Sequence, residues 1–140
     1  MSKVAVVFWS GTGNTQAMAE AVQAGAASRG AAVSMFGPSE FTPEMVAGFD
    51  AIAFGCPAMG AEVLEEAEYE PMFASVEGNL TGKKIALFGS YGWGDGQWMR
   101  DWEARCNAAG ALLAVESVIC NDAPDDQALD DCKDLGAALA

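Results

Sequence analysis

Ser10-Gly11-Thr12-Gly13-Asn14-Thr15 sets four side-chain donors and two glycines in one short run that contains no Lys or Arg. Glycines let the chain curl so that consecutive N–H groups converge, and such a nest ahead of a helix binds an anion through neutral donors. The chemistry this run suits is the grip of a phosphate dianion. Other arrangements fail on specifics. A nucleotide loop of the form G-x-x-x-x-G-K-[ST] needs a Lys that is absent. The dinucleotide pattern G-x-G-x-x-G needs Gly where Gln16 stands. A phospho-acceptor domain would carry acids at the end of the first strand, where Trp9 and Ser10 stand. A polar turn with Thr12 or Asn14 as helix cap explains one of these residues and leaves the others over.

Two further runs are unusual. Trp93 lies among Gly92, Gly94 and Gly96. A Trp in such a loop is poorly placed for a core and well placed for display to a flat partner, where aromatic stacking adds about 0.5–1.5 kcal/mol beyond area burial. Met59-Gly60-Ala61-Glu62 opens a second loop, followed by Glu65, Glu66, Glu68 and Glu70. Substrate machinery is missing: the chain has no His, and neither Ser10 nor Cys56 has a base partner in any motif. The four cysteines (Cys56, Cys106, Cys120, Cys132) form no C-x-x-C pair, so buried free thiols are expected rather than a zinc or dithiol site.

These runs must be positioned by the elements around them. Strand-length apolar runs alternate with helical stretches: strands at 3–9, 32–36, 51–56, 84–89 and 111–120, the last interrupted near Glu116-Ser117. Helices are expected at 14–29, ended by Gly30, then at 65–77, 97–109 and 125–139, with a short one near 43–46. The strands are apolar on both faces and need helices on both sides, which predicts an α/β, doubly wound parallel sheet. In such sheets ligands sit beyond the carboxyl ends of the strands, where the loops after strands one, three and four meet. Trp98 and Trp102, at helical spacing, belong to the core. Trp9 packs near the first loop, and Tyr91 could serve the ligand or the packing.

The S-G-T-G-N-T run resembles the flavin mononucleotide (FMN) phosphate loop of flavodoxins. The likeness extends over the whole chain in length and element order and is strongest at 8–15, 55–71 and 83–102. The run Gly89-Ser90-Tyr91-Gly92-Trp93-Gly94-Asp95-Gly96 is similar to that of the short-chain flavodoxins of anaerobic bacteria. The resemblance implies a single domain over 1–140 and a five-stranded sheet of order 2-1-3-4-5. It implies FMN held by Ser10, Gly11, Thr12, Gly13, Asn14 and Thr15 at the phosphate, and by Pro57, Ala58, Met59, Gly60, Glu62, Ser90, Tyr91, Gly92, Trp93 and Gly94 elsewhere. Trp93 would cover one face of the ring and Met59 the inner one. The Gly60 peptide would flip on one-electron reduction to accept from flavin N5–H, and Glu62 would accept from N3–H.

Two positions depart from common patterns of the family. Ala61 stands where Asp, Gly, Asn or Ser is more usual. If the flipped peptide makes a type II turn, Ala61 is its third residue and needs φ > 0, at roughly 1 kcal/mol relative to Gly, or on the order of 40 mV, so that Ala61→Gly would raise the oxidised/semiquinone potential. Pro57 replaces a Ser found in some relatives, so one phosphate contact is missing; Ser90 or a backbone amide is the expected substitute.

Lys and Arg total 7 against 20 Asp and Glu, a net charge of −13. Nucleic acid and anionic membranes are poor partners for such a surface. No run of about 18 apolar residues marks a membrane span, and the apolar start reads as a strand rather than a leader. Acids at the rim (Glu62, Glu65, Glu66, Glu68, Glu70, Asp95, Asp122, Asp125, Asp126) would repel a reduced flavin anion and lower its second potential. The expectation is a cytoplasmic, monomeric, low-potential one-electron carrier and not an enzyme. It would cycle between semiquinone and hydroquinone and dock basic patches on ferredoxin-type donors and acceptors. The alternatives are a small FMN-dependent NAD(P)H quinone or flavin reductase, and an interaction module without cofactor.

Overall fold

The computed structural model describes residues 2–140. Strand β1 (Lys3–Phe8) leads to helix α1 (Asn14–Ser28), and β2 (Ala32–Phe36) is followed by two 3-10 turns (Pro38–Glu40 and Pro43–Gly48). Then come β3 (Ala51–Gly55), α2 (Tyr69–Glu77), β4 (Lys84–Tyr91), α3 (Gln97–Ala108), β5 (Leu112–Leu113), β6 (Val118–Asn121) and α4 (Asp126–Leu139). All pairings are parallel, in the order β2-β1-β3-β4-β5, with β6 also on β4. The order matches the expected one.

The expected fifth strand is two short ones. Leu112 pairs with Lys84, Ala114 N–H still reaches the Ile85 carbonyl at 2.9 Å, the chain leaves the ladder over 115–117, and Val118 rejoins opposite Phe88. The expected helix over 65–77 begins only at Tyr69, because the Glu65 carboxylate organises the preceding residues as a turn. The helix expected near 43–46 is a 3-10 turn over Pro43–Gly48. β4 runs two residues further than expected, to Tyr91.

Successive strand residues point to opposite faces, so each strand feeds two cores. Val7, Ile52, Phe54, Ile85 and Leu87 join Tyr69, Phe73, Trp98 and Trp102 on one face. Val4, Val6, Ala53 and Phe88 join Met18, Val22, Cys132 and Leu135 on the other. Both helical tryptophans are core, as their spacing predicts. Trp102 sets its ring edge-on to Tyr69 and Phe73, 5.9 and 5.6 Å between centroids. Arg105 fastens α3 to α2: it donates to both oxygens of Glu70 at 2.7 Å, to Glu77 at 2.8 Å, and stacks over Phe73. Parallel strands put every carboxyl end on one side, which gathers the loops after β1, β3 and β4.

Candidate cofactor site

β1 ends at Phe8, and Trp9 stays attached to the sheet because its N–H donates to the Gly55 carbonyl at 3.1 Å. The Trp9 indole lies against Gly11, where an added Cβ would stand 3.0 Å from the ring. Ser10 Oγ accepts from Gly13 N–H at 3.1 Å and closes the loop. Gly13 sits at φ +96°, a conformation open to glycine, and its carbonyl accepts from Ala17 to start α1. The backbone N–H groups of Gly11, Thr12, Asn14 and Thr15 have no acceptor among the described residues. They crown a helix N-terminus, and no Lys or Arg is among the residues lining the adjoining cavity.

A cavity of about 210 Å³ opens beside this nest. Gly11, Thr12 and Asn14 line it from the first loop, Pro57, Ala58 and Met59 from the second, and Ser90, Tyr91 and Gly92 from the third. The three loops singled out in the sequence therefore meet in one place. Two lining residues were outside the expected set. The sequence leads one to expect Trp9 only to pack near the first loop, and Asp122 only to join the acidic rim. Asp122 reaches the cavity through a turn after β6, where it takes φ +57°. Its N–H donates to Tyr91, and its carbonyl accepts the Ser90 hydroxyl at 2.7 Å. The Ser90 hydroxyl is thus spent inside the protein rather than free for a phosphate.

The other expected residues, Ser10, Gly13, Thr15, Gly60, Glu62, Trp93 and Gly94, are not in its lining. Ser10 and Gly13 close the nest, and the Thr15 side chain is buried. Trp93 is 64% exposed and Met59 37%, so both are displayed. Met59 and Val63 exchange backbone hydrogen bonds of 2.8 and 3.0 Å, leaving Gly60-Ala61-Glu62 as the tip of a hairpin. The positive φ values fall on Gly60 (+52°) and Glu62 (+55°), not on Ala61. In this conformation the left-handed non-glycine residue at the tip is Glu62, and the backbone cost falls there; the expectation for Ala61 concerns the flipped peptide. Its carboxylate lies outside the cavity. Oε1 accepts from Gln97 N–H at 3.2 Å, at the start of α3, beside Gly94.

The second loop is held from below. Ala58 N–H donates to Ser90 and Trp98 Nε1 donates to the Cys56 carbonyl at 3.2 Å. The Cys56 thiol is buried, and desolvation pushes its pKa up to about 12. It accepts weakly from Glu65 N–H at 3.4 Å and serves as packing. Cys106 and Cys132 are pushed up to about 12 for the same reason. Two acids counted at the rim are removed from it. Glu65 is buried and turned onto the amides of Ala67, Glu68 and Tyr69, and Glu70 is neutralised by Arg105. Asp95 pairs with Arg100 at 3.0 Å. Glu66, Glu68, Asp122, Asp125 and Asp126 keep an exposed acidic rim.

Neutral donors for a phosphate, a flanking cavity and an exposed indole fit FMN in kind and in order along the chain. A family model described as flavodoxin matches residues 6–136. The flavodoxin of Clostridium beijerinckii is 44% identical over 135 residues, covering 96% of this chain and 97% of that protein. The flavodoxin of Megasphaera elsdenii is 44% identical over 137 residues and 98% of each chain. The solution structure of the two-electron reduced Megasphaera elsdenii flavodoxin superposes with a TM-score of 0.90 over 97% of each chain.

Proposed function

The chain belongs to the flavodoxin family of FMN-binding electron carriers, and from that premise we propose how its own residues hold the cofactor and set its working potential. The observation that carries the reading is the row of unpaired amides at Gly11, Thr12, Asn14 and Thr15 above α1. They bind the phosphate dianion with no cation to offset its charge. Asn14, Thr12 and Ser10 add side-chain donors. Because Pro57 has no hydroxyl and the Ser90 hydroxyl donates to Asp122, backbone amides take over the contact that a Ser at position 57 would make.

Met59 and Trp93 would supply the surfaces for the two faces of the ring, and Gly60, Glu62, Tyr91, Gly92 and Gly94 would hold its edges. Bound there, FMN supplies one-electron redox chemistry. The chain's part would be to shield the inner face from water and to set Asp122, with no Lys or Arg beside it in the cavity lining, near the reduced, negatively charged form, which would lower the more reducing couple. The reductase reading is not favoured. Trp93 would cover the face a nicotinamide needs.

The exposed acids suit weak, salt-sensitive docking to basic patches of redox partners. We place the protein in the cytoplasm as a monomer. Four unpaired cysteines suit a reducing compartment, and a charge of −13 opposes self-association. No described helix is long and apolar enough to cross a membrane. Potentiometric titration of the FMN-loaded protein tests the function. Two separated one-electron waves are expected, and a single two-electron wave, or bleaching by NADPH without a reductase, overturns the reading.

A further inference from the structure

β6 lies at the edge of the sheet, paired only with β4. Asp122 N–H donates to Tyr91, continuing the ladder. In a parallel pair, residues alternate in which edge their N–H and C=O face. Cys120 therefore faces β4, and the backbone groups of Ile119 and Asn121 face outward, with no acceptor for either N–H among the described residues. Between this open edge and α4 run two grooves, of about 350 and 310 Å³, which share Ile119 and Asp131 and so form one channel. Its floor is apolar at Val115, Val118 and Leu135, and its walls carry Glu116, Asp125, Asp131 and Asp134, with no Lys or Arg in the lining.

We propose that this edge docks an extended, basic segment of a partner protein, which adds a strand to β6 along the channel. Backbone pairing at Ile119 and Asn121 supplies affinity. Alternate side chains of the guest divide, as they do on any strand, between the apolar floor and the carboxylates. Charge selects the occupant. A second copy of this chain would bring another acidic edge against Asp131 and Asp134, and like charges across an interface are disfavoured, whereas Lys or Arg on the guest meets both. The upper end of the channel, at Asn121, adjoins Asp122 of the cofactor cavity. A partner so anchored is held beside the site without covering Met59 or Trp93. The surface is built from side chains and backbone that do not hold the cofactor, so it is independent of the FMN reading.

The test titrates the full-length FMN-loaded protein with a synthetic peptide of alternating Lys and Val, followed by amide resonances. A second peptide of equal charge, with Pro in place of alternate Val, cannot pair as a strand. The Lys-Val peptide should move the resonances of residues 115–121 and of the facing turns of α4, and the Pro peptide should bind about tenfold more weakly, the worth of one or two backbone hydrogen bonds. Ile119→Pro removes only an outward N–H, a position an edge strand tolerates, and should abolish that difference between peptides. The double variant Asp131→Lys, Asp134→Lys leaves the ladder alone and should weaken the Lys-Val peptide by a similar factor. The proposal is overturned if the shifts centre on Met59 and Trp93, if the two peptides bind alike, if neither binds, or if both variants bind as the parent does.

Discussion

The carboxylate of Glu62 fills the space that a side chain on Gly94 would need. Gly94 is held at φ +89°, and Glu62 is itself left-handed at +55°. With Oε1 accepting from Gln97, the contact ties the tip of the Met59–Val63 hairpin to the Trp93 loop. Gly94→Ala should therefore destabilise the apoprotein by more than the about 1–2 kcal/mol that a left-handed Ala costs. Gly13→Ala is the control, because Gly13 has a similar φ of +96° and nothing within 4 Å of an added Cβ. Urea unfolding of both variants measures the excess at Gly94. In a Glu62→Ala background the excess should vanish, and a persistent excess would assign it to something other than the carboxylate.

Glu65 gives an acid-sensitive hold on the second loop. Burial works to raise its pKa, and the N–H groups of Tyr69, Glu68 and Ala67, at 2.7–2.8 Å, outweigh that and leave it below the usual carboxyl range. A carboxyl lowered on folding stabilises fully above its unfolded pKa, about 4.3, and the benefit is lost as pH falls through the folded value. Glu65→Gln should lower stability at neutral pH by about 1–3 kcal/mol, the worth of hydrogen bonds to a charged acceptor. Denaturant midpoints measured down the pH scale should show the two proteins converging in acid.

The same residue explains what the sequence could not reveal about α2. Glu is a good helix former, so an acidic run over 65–70 favours a helix on propensity alone. Glu65 instead caps α2 from outside: its carboxylate accepts from the amides two, three and four residues on, a local turn that helix propensity does not separate from a first helical turn. The phosphate loop was legible because glycines and donors crowd one strand-to-helix turn, and Trp93 because an indole among glycines has no core to join. Asp122 was not, since it comes to line the same cavity as Thr12 only after the sheet assembles and the chain turns after β6 at a left-handed residue.

Trp93 separates folding from binding. An indole 64% exposed holds little of the core together, so Trp93→Ala should change apoprotein stability by no more than about 0.5 kcal/mol. Its loss from a stacked ring should weaken FMN by about two- to tenfold. Fluorescence titration of apoprotein with FMN measures the second effect and thermal unfolding of apoprotein the first. A large loss of stability with unchanged affinity would place Trp93 in the fold and out of the site.

Charge at the cavity sets the last expectation. Asp122 is the one carboxylate residue in the cavity lining, and no Lys or Arg accompanies it there. A carboxylate about 10 Å from the reduced, negatively charged cofactor, at an effective dielectric of about 40, shifts the more reducing couple by on the order of 30 mV. Asp122→Asn should raise that couple by this amount at low ionic strength. Asp50→Asn should not, because Asp50 precedes β3 at the amino end of the sheet, where it accepts from Lys3 N–H at 2.7 Å. Exposed charges are screened by salt, so the Asp122 effect should shrink as salt is added. A shift that survives high salt would point instead to the backbone of the Asp122 turn, whose carbonyl holds Ser90, as the element acting on the potential.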